Sequence, residues 1–440
     1  MPPRDRRLYP WSVQGAIQPV NVTEAAGSHF TDDTGTRWLD LAGQLAYMNI
    51  GHTHPKVVEA IQKQAARLPV IGPSFANPPA TRLAEMLAEV TPSGLDHVFF
   101  TLGGSEANEY AVRMARAATG RLKIVSRYQS YHGSTLGSIS ATGENRRVFA
   151  EPGAPGFVKA LDPYRYRCPL CRDRDACSLA CADAIEATIV GAGPETVAAV
   201  LMEPVTGLSG LVVPPDGYLA RVREICDRYD VLLIFDEVIT GFCRTGRWFA
   251  SEHWGVVPDI MTVAKGITSG YVPLGAAIVN GRVARHFEDH YLGAGLTYAA
   301  HPLACAAGCA VMEVYIEENL AERAARLGGR LLGRLREMAE KHPAVGEVRG
   351  LGMLAGIELV RDRQTREPLS PQRTEAPVTP AMAAVRQALN ERHVSTLSRW
   401  NLLVLAPPLT IGEDELEHGL EAVDAALETA DAEVTAFSRS

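Results

Sequence analysis

The chain has 440 residues, more than one typical domain and enough to bury a full core, so we expect two domains. A hydrophobic fraction of 46% is ordinary for a soluble globular protein, and no apolar run is long enough to span a bilayer. The net charge of -8 gives no support to nucleic-acid binding. No apolar segment follows the basic start, and eight cysteines are too few for a disulfide scaffold of this length. We therefore expect a cytoplasmic protein that binds neither nucleic acid nor membrane.

The first ninety residues predict a hairpin followed by two helices. Residues 28–40 resemble two short strands around a turn at Asp33-Thr34-Gly35. Helices are predicted over 55–68 and 79–90, with a loop rich in proline and glycine between them. His52 and His54, before the first helix, have the spacing of a metal-ligand pair, but no further ligand follows at helical spacing. A turn before a helix N-terminus explains both histidines more simply.

A strand, two glycines and a serine precede the next helix. The strand is predicted over 97–102, and the helix ends at Gly120. Gly103 and Gly104 let the backbone approach a ligand closely, while the helix N-terminus and the Ser105 hydroxyl offer donors to a phosphate. Taken alone, the pattern is explained equally well by Ser105 as a helix N-cap.

Regular periodicity is lost between residues 143 and 181, after a strand predicted over 123–128. The segment contains four cysteines, Cys168, Cys171, Cys177 and Cys181. The first two have the spacing of half a zinc site, but the second pair is separated by three residues and lies close to the first. Reduced thiols in an insertion loop are the preferred interpretation, with a structural metal as the alternative.

Three predicted strands end abruptly on a charged residue. Continuous apolar runs over 197–202, 231–235 and 260–264 suit strands buried on both faces of a parallel sheet, and they end on Glu203, Asp236 and Lys265. Ligand-binding and catalytic residues are concentrated at the carboxyl ends of such strands. Pyridoxal 5'-phosphate requires this combination, because a lysine forms its Schiff base and an acidic residue partners its ring nitrogen. A structural ion pair is the alternative.

The order of the predicted elements indicates an α/β fold with a central, mostly parallel sheet covered by helices. After residue 310 the pattern becomes that of a smaller α+β domain: a long helical tract over 305–341, strands near 345–349, 353–359 and 401–405, a loop over 361–380 and two more helices. We predict an N-terminal segment, 1–60, that joins the small domain, a large cofactor-binding domain, 61–310, and the small domain, 311–440.

The motifs LIFDEV at 233–238, TGF at 240–242, RTG at 244–246, AKG at 264–266 and GSEAN at 104–108 closely resemble the class III (omega-amino) pyridoxal-phosphate-dependent aminotransferases of fold type I. The resemblance extends from about residue 37 to residue 427. One departure is Gly103, where a serine is commoner in the family.

The resemblance implies a role for each matching residue. Lys265 would hold the cofactor and then move a proton as general acid and base, Asp236 would keep the ring nitrogen protonated, and Glu203 would lie close to both. The cofactor-binding residues implied beside Asp236 and Lys265 are Gly104, Ser105, Tyr131, His132, Val238 and Thr297. Tyr131 would stack on the ring, and Thr297 would reach the phosphate of a neighbouring subunit. We therefore expect a homodimer with shared active sites, or a tetramer built from it.

Three departures point to a branch of the family. Relatives acting on ornithine, acetylornithine or 4-aminobutyrate commonly have Gln, Glu and Arg where this chain has Ile239, Leu208 and, approximately, Val404. The chain is more similar to the amine, β-amino acid and taurine:pyruvate branch. In that branch an arginine gates the acceptor carboxylate, since its planar fork of donors matches a carboxylate. The implied substrate-binding residues are Arg399, Trp400 and Tyr47, with Arg399 on a loop before a strand; a surface arginine is the alternative.

The predicted function is a ping-pong transamination. The amino group would move from an omega-amino compound (an amine, a β-amino acid, or a compound like taurine or 4-aminobutyrate) to pyruvate or 2-oxoglutarate. A decarboxylation-dependent transaminase and an aminomutase are alternatives on the same fold. A non-catalytic relative that binds pyridoxal phosphate is a third, against which the intact Lys265, Asp236 and Glu203 argue. This chemistry requires no metal.

Overall fold

The computed structural model describes residues 6–171, 177–372 and 379–437. The strands in these ranges are β1 (Val22–Ala26), β2 (His29–Asp32), β3 (Arg37–Asp40), β4 (Leu95–Thr101), β5 (Lys123–Arg127), β6 (Phe157–Ala160), β7 (Val197–Met202), β8 (Leu232–Asp236), β9 (Ile260–Val263), β10 (Gly275–Asn280), β11 (Val345–Leu351), β12 (Leu354–Asp362), β13 (Glu367–Pro368), β14 (Val394–Ser395), β15 (Leu397–Arg399) and β16 (Leu402–Leu405). The α-helices are α1 (Gly43–Ala46), α2 (Pro55–Arg67), α3 (Pro78–Val90), α4 (Gly104–Thr119), α5 (Leu136–Ala141), α6 (Ala180–Ala192), α7 (Tyr218–Arg228), α8 (Gly281–Asp289), α9 (Pro302–Glu317), α10 (Leu320–Lys341), α11 (Pro380–Glu391) and α12 (Glu413–Phe437).

A seven-stranded sheet forms the centre of the molecule, in the order β4-β10-β9-β8-β7-β5-β6. Strand β10 is antiparallel to both of its neighbours, and the other pairs are parallel. Every residue of β7, β8 and β9 is buried, because helices cover both faces of the sheet. This arrangement confirms the predicted α/β fold with a mostly parallel sheet.

Alternate residues of β8 pack into two different cores. Leu233 and Phe235 pack on the side of α6 and α7, whereas Leu232 and Ile234 pack on the side of α4. Because side chains alternate along a strand, this continuous apolar run fills both layers at once. The strand ends at Asp236, which is itself buried.

Two smaller sheets complete the fold. In the first, with order β1-β2-β3-β14, β14 is parallel to β3 through the pair Val394 and Leu39. The second joins β11, β12, β16 and β15, with β13 paired to β12. The pairing of β3 with β14 ties the N-terminal segment to C-terminal elements. The domain boundaries at 60 and 310 stay a prediction; they fall inside α2 and α9.

Three local predictions differ from the structure. The segment 143–181 was expected to lack regular structure, but it contains β6, a short edge strand whose partial burial gives no clear alternation. The helical tract over 305–341 is divided into α9 and α10 at Asn319, whose φ of +49° ends the helical path. The predicted loop over 361–380 contains the end of β12 and β13, while residues 373–378 lie outside the described residues.

Candidate active site

A cavity of about 320 Å³ opens at the carboxyl ends of β7, β8 and β9. Its wall includes these predicted site residues: Tyr47, Gly104, Ser105, Tyr131, His132, Glu203, Asp236, Val238 and Lys265. The other three predicted residues, Thr297, Arg399 and Trp400, are not part of this wall in the described chain. The strand ends thus bring together the acidic, basic and glycine-rich motifs, of which Gly104 and Lys265 are 161 positions apart in the sequence.

Asp236 is held by a network of hydrogen bonds at the inner end of the cavity. Its Oδ2 accepts from Asn108 Nδ2 at 2.7 Å and lies 2.8 Å from His132 Nδ1, and its Oδ1 accepts from the Val238 N–H at 3.0 Å. Thr262 Oγ1 donates to Asn108 Oδ1 at 2.7 Å and so fixes the orientation of the amide. The network leaves the Asp236 carboxylate rigid, because both of its oxygens are bonded.

Asn108 is the last residue of the GSEAN motif, but the sequence does not predict it as a site residue. It is the fifth residue of α4 and is buried, so its side chain points inward beneath the start of that helix. His132 contacts Asp236 directly through one ring nitrogen, and its other nitrogen, Nε2, is buried with no hydrogen-bond partner among the described residues. His132 therefore orients the carboxylate of Asp236, and its own Nε2 is a buried polar atom near that carboxylate.

The N-terminus of α4 forms the second end of the cavity. A Cβ placed on Gly133 would lie 2.4 Å from Ser105 Oγ, and one on Gly104 would lie 2.9 Å from a methyl group of Val238. Only glycine fits at both places, so the loop at Gly133 can pack against Ser105 and the start of α4 against Val238. The Ser134 N–H donates to Ser105 Oγ at 3.1 Å and orients the hydroxyl. A cup of backbone N–H groups with a serine hydroxyl suits a phosphate.

Lys265 follows β9 in a left-handed conformation with φ of +47°. Burial in the cavity wall lowers the pKa of its ammonium to about 8, mainly because the charged group is removed from water. The charges of Asp236 and Glu203 oppose this shift in pKa, and the charge of Arg146 adds to it. A lysine with this pKa is partly neutral near physiological pH, as a nucleophilic amine must be.

Glu203 directly follows β7 and is buried. Its Oε1 accepts from the Tyr131 N–H at 3.1 Å and its Oε2 from the Gly207 N–H at 2.7 Å. Burial raises the pKa of this carboxyl, and the charge of Asp236 raises it further. Glu203 thereby anchors the loop that presents Tyr131 to the cavity.

A cationic cluster lies beyond Tyr131, outside the cavity wall. Arg399 is the last residue of β15 rather than part of a loop, and its Nη2 donates to Glu144 Oε2. Glu144 Oε1 accepts in turn from Arg146 Nε. The guanidinium carbon of Arg146 lies 3.8 Å from the centroid of the Tyr131 ring and 5.3 Å from that of Trp11.

No sequence pattern indicated Glu144 or Arg146, which occur where periodicity is lost. Arg399 stacks on Trp400, with 4.4 Å between its guanidinium carbon and the ring centroid. Burial lowers the pKa of Arg399, and its Nε is buried without a hydrogen-bond partner in the part of the chain described. Arg399 and Trp400 thus form an outer layer behind Arg146.

Thr297 is exposed and belongs to a loop between α8 and α9. It does not contact the cavity of its own chain. Its predicted role at the phosphate of a neighbouring subunit stays a prediction.

A family model described as aminotransferase class III matches residues 12–427. The chain belongs to the class III aminotransferases. It is 38% identical to the uncharacterized aminotransferase YhxA of Bacillus subtilis, over 97% of this chain and 96% of that protein. It is 35% identical to the taurine–pyruvate aminotransferase of Bilophila wadsworthia, over 94% and 93%. A taurine:2-oxoglutarate aminotransferase from Bifidobacterium kashiwanohense, solved with pyridoxal phosphate and glutamate, superposes with a TM-score of 0.91 at 38% identity, over 97% and 96%.

This aminotransferase is a pyridoxal-phosphate-dependent transaminase of fold type I. Its cavity fits the cofactor: the glycine cup at Ser105 suits the phosphate, Lys265 suits the aldehyde, and Asp236 suits the ring nitrogen. When bound, the cofactor supplies an electron sink for the substrate carbon. The predicted roles of the individual residues stay predictions that this geometry supports.

The histidines and cysteines considered as metal ligands in this aminotransferase lie apart from the cavity. His52 Nε2 is 3.3 Å from Asp40, whereas His54 Nε2 is 3.1 Å from Glu318. The four cysteines between 168 and 181 all border one small cavity and are not disulfide-bonded. Among the described residues, no group of three or more His, Cys, Asp or Glu side chains is arranged to hold a metal ion. The assignment of the four cysteines as reduced thiols stays a prediction.

None of the helices in the described ranges combines the length and the apolar composition that a membrane span requires.

Proposed function

We propose that this aminotransferase takes the amino group of a small omega-amino acid, with a sulfonate or carboxylate at its other end, and transfers it to a 2-oxo acid. The observation that carries this proposal is the cationic cluster of Arg146, Glu144 and Arg399 beside Tyr131. Arg146 of this cluster stacks on the ring of Tyr131, which borders the cavity, and the non-reacting end of a substrate would extend toward it. The taurine aminotransferases among its relatives support an acidic donor.

The cluster carries one positive charge in excess, since two guanidinium groups share a single carboxylate. Arg146 is the member closer to the reacting end, because its charge contributes to lowering the pKa of Lys265. Arginine binds carboxylates and sulfonates through paired hydrogen bonds, which are stronger than bonds between neutral groups. We therefore assign the acidic group of the donor to Arg146 and the carboxylate of the acceptor to the pair of Arg146 and Arg399.

Different residues of the chain carry out different parts of the reaction. Lys265 would take the proton from the donor carbon as general base and deliver it to the cofactor carbon as general acid. Asp236, fixed by Asn108 and His132, would partner the ring nitrogen of the cofactor. Donor and acceptor use the same cavity in turn, as a ping-pong reaction requires. Tyr47 lines the cavity beside Gly270. A Cβ added to Gly270 would lie 2.3 Å from the Tyr47 ring, so this ring limits the space for both substrates.

We propose a cytoplasmic homodimer in which Thr297 of the partner subunit completes the phosphate cup. Thr297 and the half-exposed Tyr298 lie in a loop that does not reach the cavity of its own chain. Large apolar side chains such as Phe75 and Leu45, 63% and 55% exposed, would be covered by a second copy. Sedimentation of the holoenzyme tests the assembly, and a monomer at working concentration would contradict it.

The donor assignment is tested by comparing Arg146→Met with Arg147→Met, a neighbouring variant whose arginine pairs with Glu151 instead. The first half-reaction is followed by the cofactor absorbance, with taurine, β-alanine and the uncharged 1-phenylethylamine as donors. Loss of a charge-assisted pair costs about 1.5–3 kcal/mol, so Arg146→Met should raise the apparent KM for the acidic donors about 10- to 100-fold. The amine lacking an acidic group should be unaffected, and Arg147→Met should resemble the wild type.

Equal losses with all three donors would show that Arg146 supports the fold or the cofactor rather than the donor. Release of carbon dioxide from a 2,2-disubstituted amino acid would favour the decarboxylation-dependent alternative.

A further inference from the structure

We infer that Glu144 restricts the acceptor to a 2-oxo acid that carries a single carboxylate, such as pyruvate. This inference rests on the proposed function and concerns the same cationic cluster. Glu144 does not line the cavity. It would act as a positioning residue, through the two arginines that it holds.

The carboxylate of Glu144 is fixed between those arginines. Its side chain is 1% exposed, and its two oxygens are divided between Arg146 Nε and Arg399 Nη2. The backbone is also held, since the Glu144 N–H donates to Ser130 O at 3.2 Å and the Arg147 N–H donates to Glu144 O at 3.1 Å. The side chain therefore cannot move into solvent without breaking both ion pairs.

The charge balance of the cluster decides which acceptor fits. Two guanidinium groups and one carboxylate leave one positive charge, which a monocarboxylate acceptor neutralises. 2-Oxoglutarate brings two negative charges to the same region, and its second carboxylate would have to compete with the buried Glu144 for an arginine. A buried charge without a partner is unfavourable. The other charged groups of the cavity, Asp236, Glu203 and Lys265, face either acceptor equally.

Removing the charge of Glu144 should therefore change the selectivity of the enzyme. In Glu144→Gln the side chain keeps its size and one acceptor oxygen, while the cluster gains a second unmatched positive charge. We expect wild-type enzyme to prefer pyruvate. In Glu144→Gln the ratio of kcat/KM for pyruvate to kcat/KM for 2-oxoglutarate should fall at least tenfold, which corresponds to about 1.4 kcal/mol. The change should arise mainly from a lower KM for 2-oxoglutarate.

The control variants separate selectivity from structural support. Glu151→Gln removes an exposed carboxylate of the same segment, which pairs with Arg147, and should leave the ratio unchanged. Glu144→Asp retains the charge and should restore much of the wild-type ratio. Cofactor absorbance and melting temperature of each holoenzyme identify variants that fold.

A second measurement needs no substitution. Propionate and glutarate resemble pyruvate and 2-oxoglutarate without a reacting carbonyl, and wild-type enzyme in the pyridoxamine form should be inhibited more strongly by propionate.

Three results would overturn the inference: a wild-type preference for 2-oxoglutarate, an unchanged ratio in Glu144→Gln, or stronger inhibition by glutarate than by propionate. None of these affects the proposed function, which fails separately if Arg146→Met and Arg147→Met behave alike with acidic donors.

Discussion

Replacing Asp236 by Asn tests the inner end of the cavity most directly. The substitution keeps the shape of the side chain but removes its charge. The Asn side chain has one oxygen, whereas the two carboxylate oxygens of Asp236 contact three nitrogen atoms: Asn108 Nδ2, His132 Nδ1 and the backbone N of Val238. Whichever way the amide turns, at least one donor faces an NH2 group, so the network loses a hydrogen bond at about 1–3 kcal/mol.

The larger effect is on the rate. Two unit charges about 4 Å apart interact with about 4 kcal/mol at an effective dielectric constant of about 20. Loss of this attraction to a protonated ring nitrogen should slow removal of the donor's proton about 1,000-fold, at 1.36 kcal/mol per factor of ten. Cofactor binding should persist, because the cup at Ser105 and the amine of Lys265 are unchanged.

Rapid mixing of the holoenzyme with saturating taurine or β-alanine measures this step through the cofactor absorbance. Glu237→Gln is the matched control, since Glu237 is the adjacent buried carboxylate but accepts from the Ala250 and Ser251 N–H groups at 3.0 and 2.8 Å, away from the cavity. It should lower the melting temperature and leave the rate per bound cofactor close to that of the wild type. A rate for Asp236→Asn near the wild-type value, with normal cofactor content, would refute the assigned role.

Three further predictions follow from the geometry. The rate at which pyridoxal phosphate attaches to apoenzyme should rise with pH and level off above about 8, because the lowered pKa makes Lys265 neutral there. An inflection of this rate near pH 10.5 would contradict the effect of burial on the pKa. Lys265→Ala should abolish attachment. Thr297→Ala should weaken cofactor retention, measured by dialysis, more than it slows turnover, and the loss should grow on dilution; retention independent of protein concentration would argue against shared sites. Arg244→Met should reduce the free energy of unfolding by at least about 3 kcal/mol, measured in urea, because it leaves the buried oxygens of Met353, Pro407 and Asn49 without their donor; a loss below about 1 kcal/mol would show that water replaces the guanidinium.

The sequence was most informative where a local pattern and a chemical requirement coincide. Strands buried on both faces need continuous apolar residues, so a charged residue directly after such a run marks a strand end. Glu203, Asp236 and Lys265 were found in this way, and parallel pairing of β7, β8 and β9 places them together. Gly104 was informative for a related reason, because a Cβ there would lie 2.9 Å from a methyl group of Val238.

Residues that depend on distant partners were missed. Asn108 acts through Asp236, which is 128 positions away in the sequence, and Glu144 meets Arg399 across 255 positions. Nothing in the local spacing of these residues distinguishes them from other polar side chains. The break at Asn319 was missed for a different reason, since one residue with positive φ ends a helix without altering the surrounding apolar pattern.

The pairing of β3 with β14 has a consequence for biosynthesis. The turn that carries Tyr47 follows β3, and β3 lies between β2 and a strand more than 350 positions later. A contact of such long sequence separation forms late, after most of the chain has been made. We therefore expect the cavity to remain open on the Tyr47 side until Val394 has left the ribosome, so that cofactor is captured only by a nearly finished polypeptide.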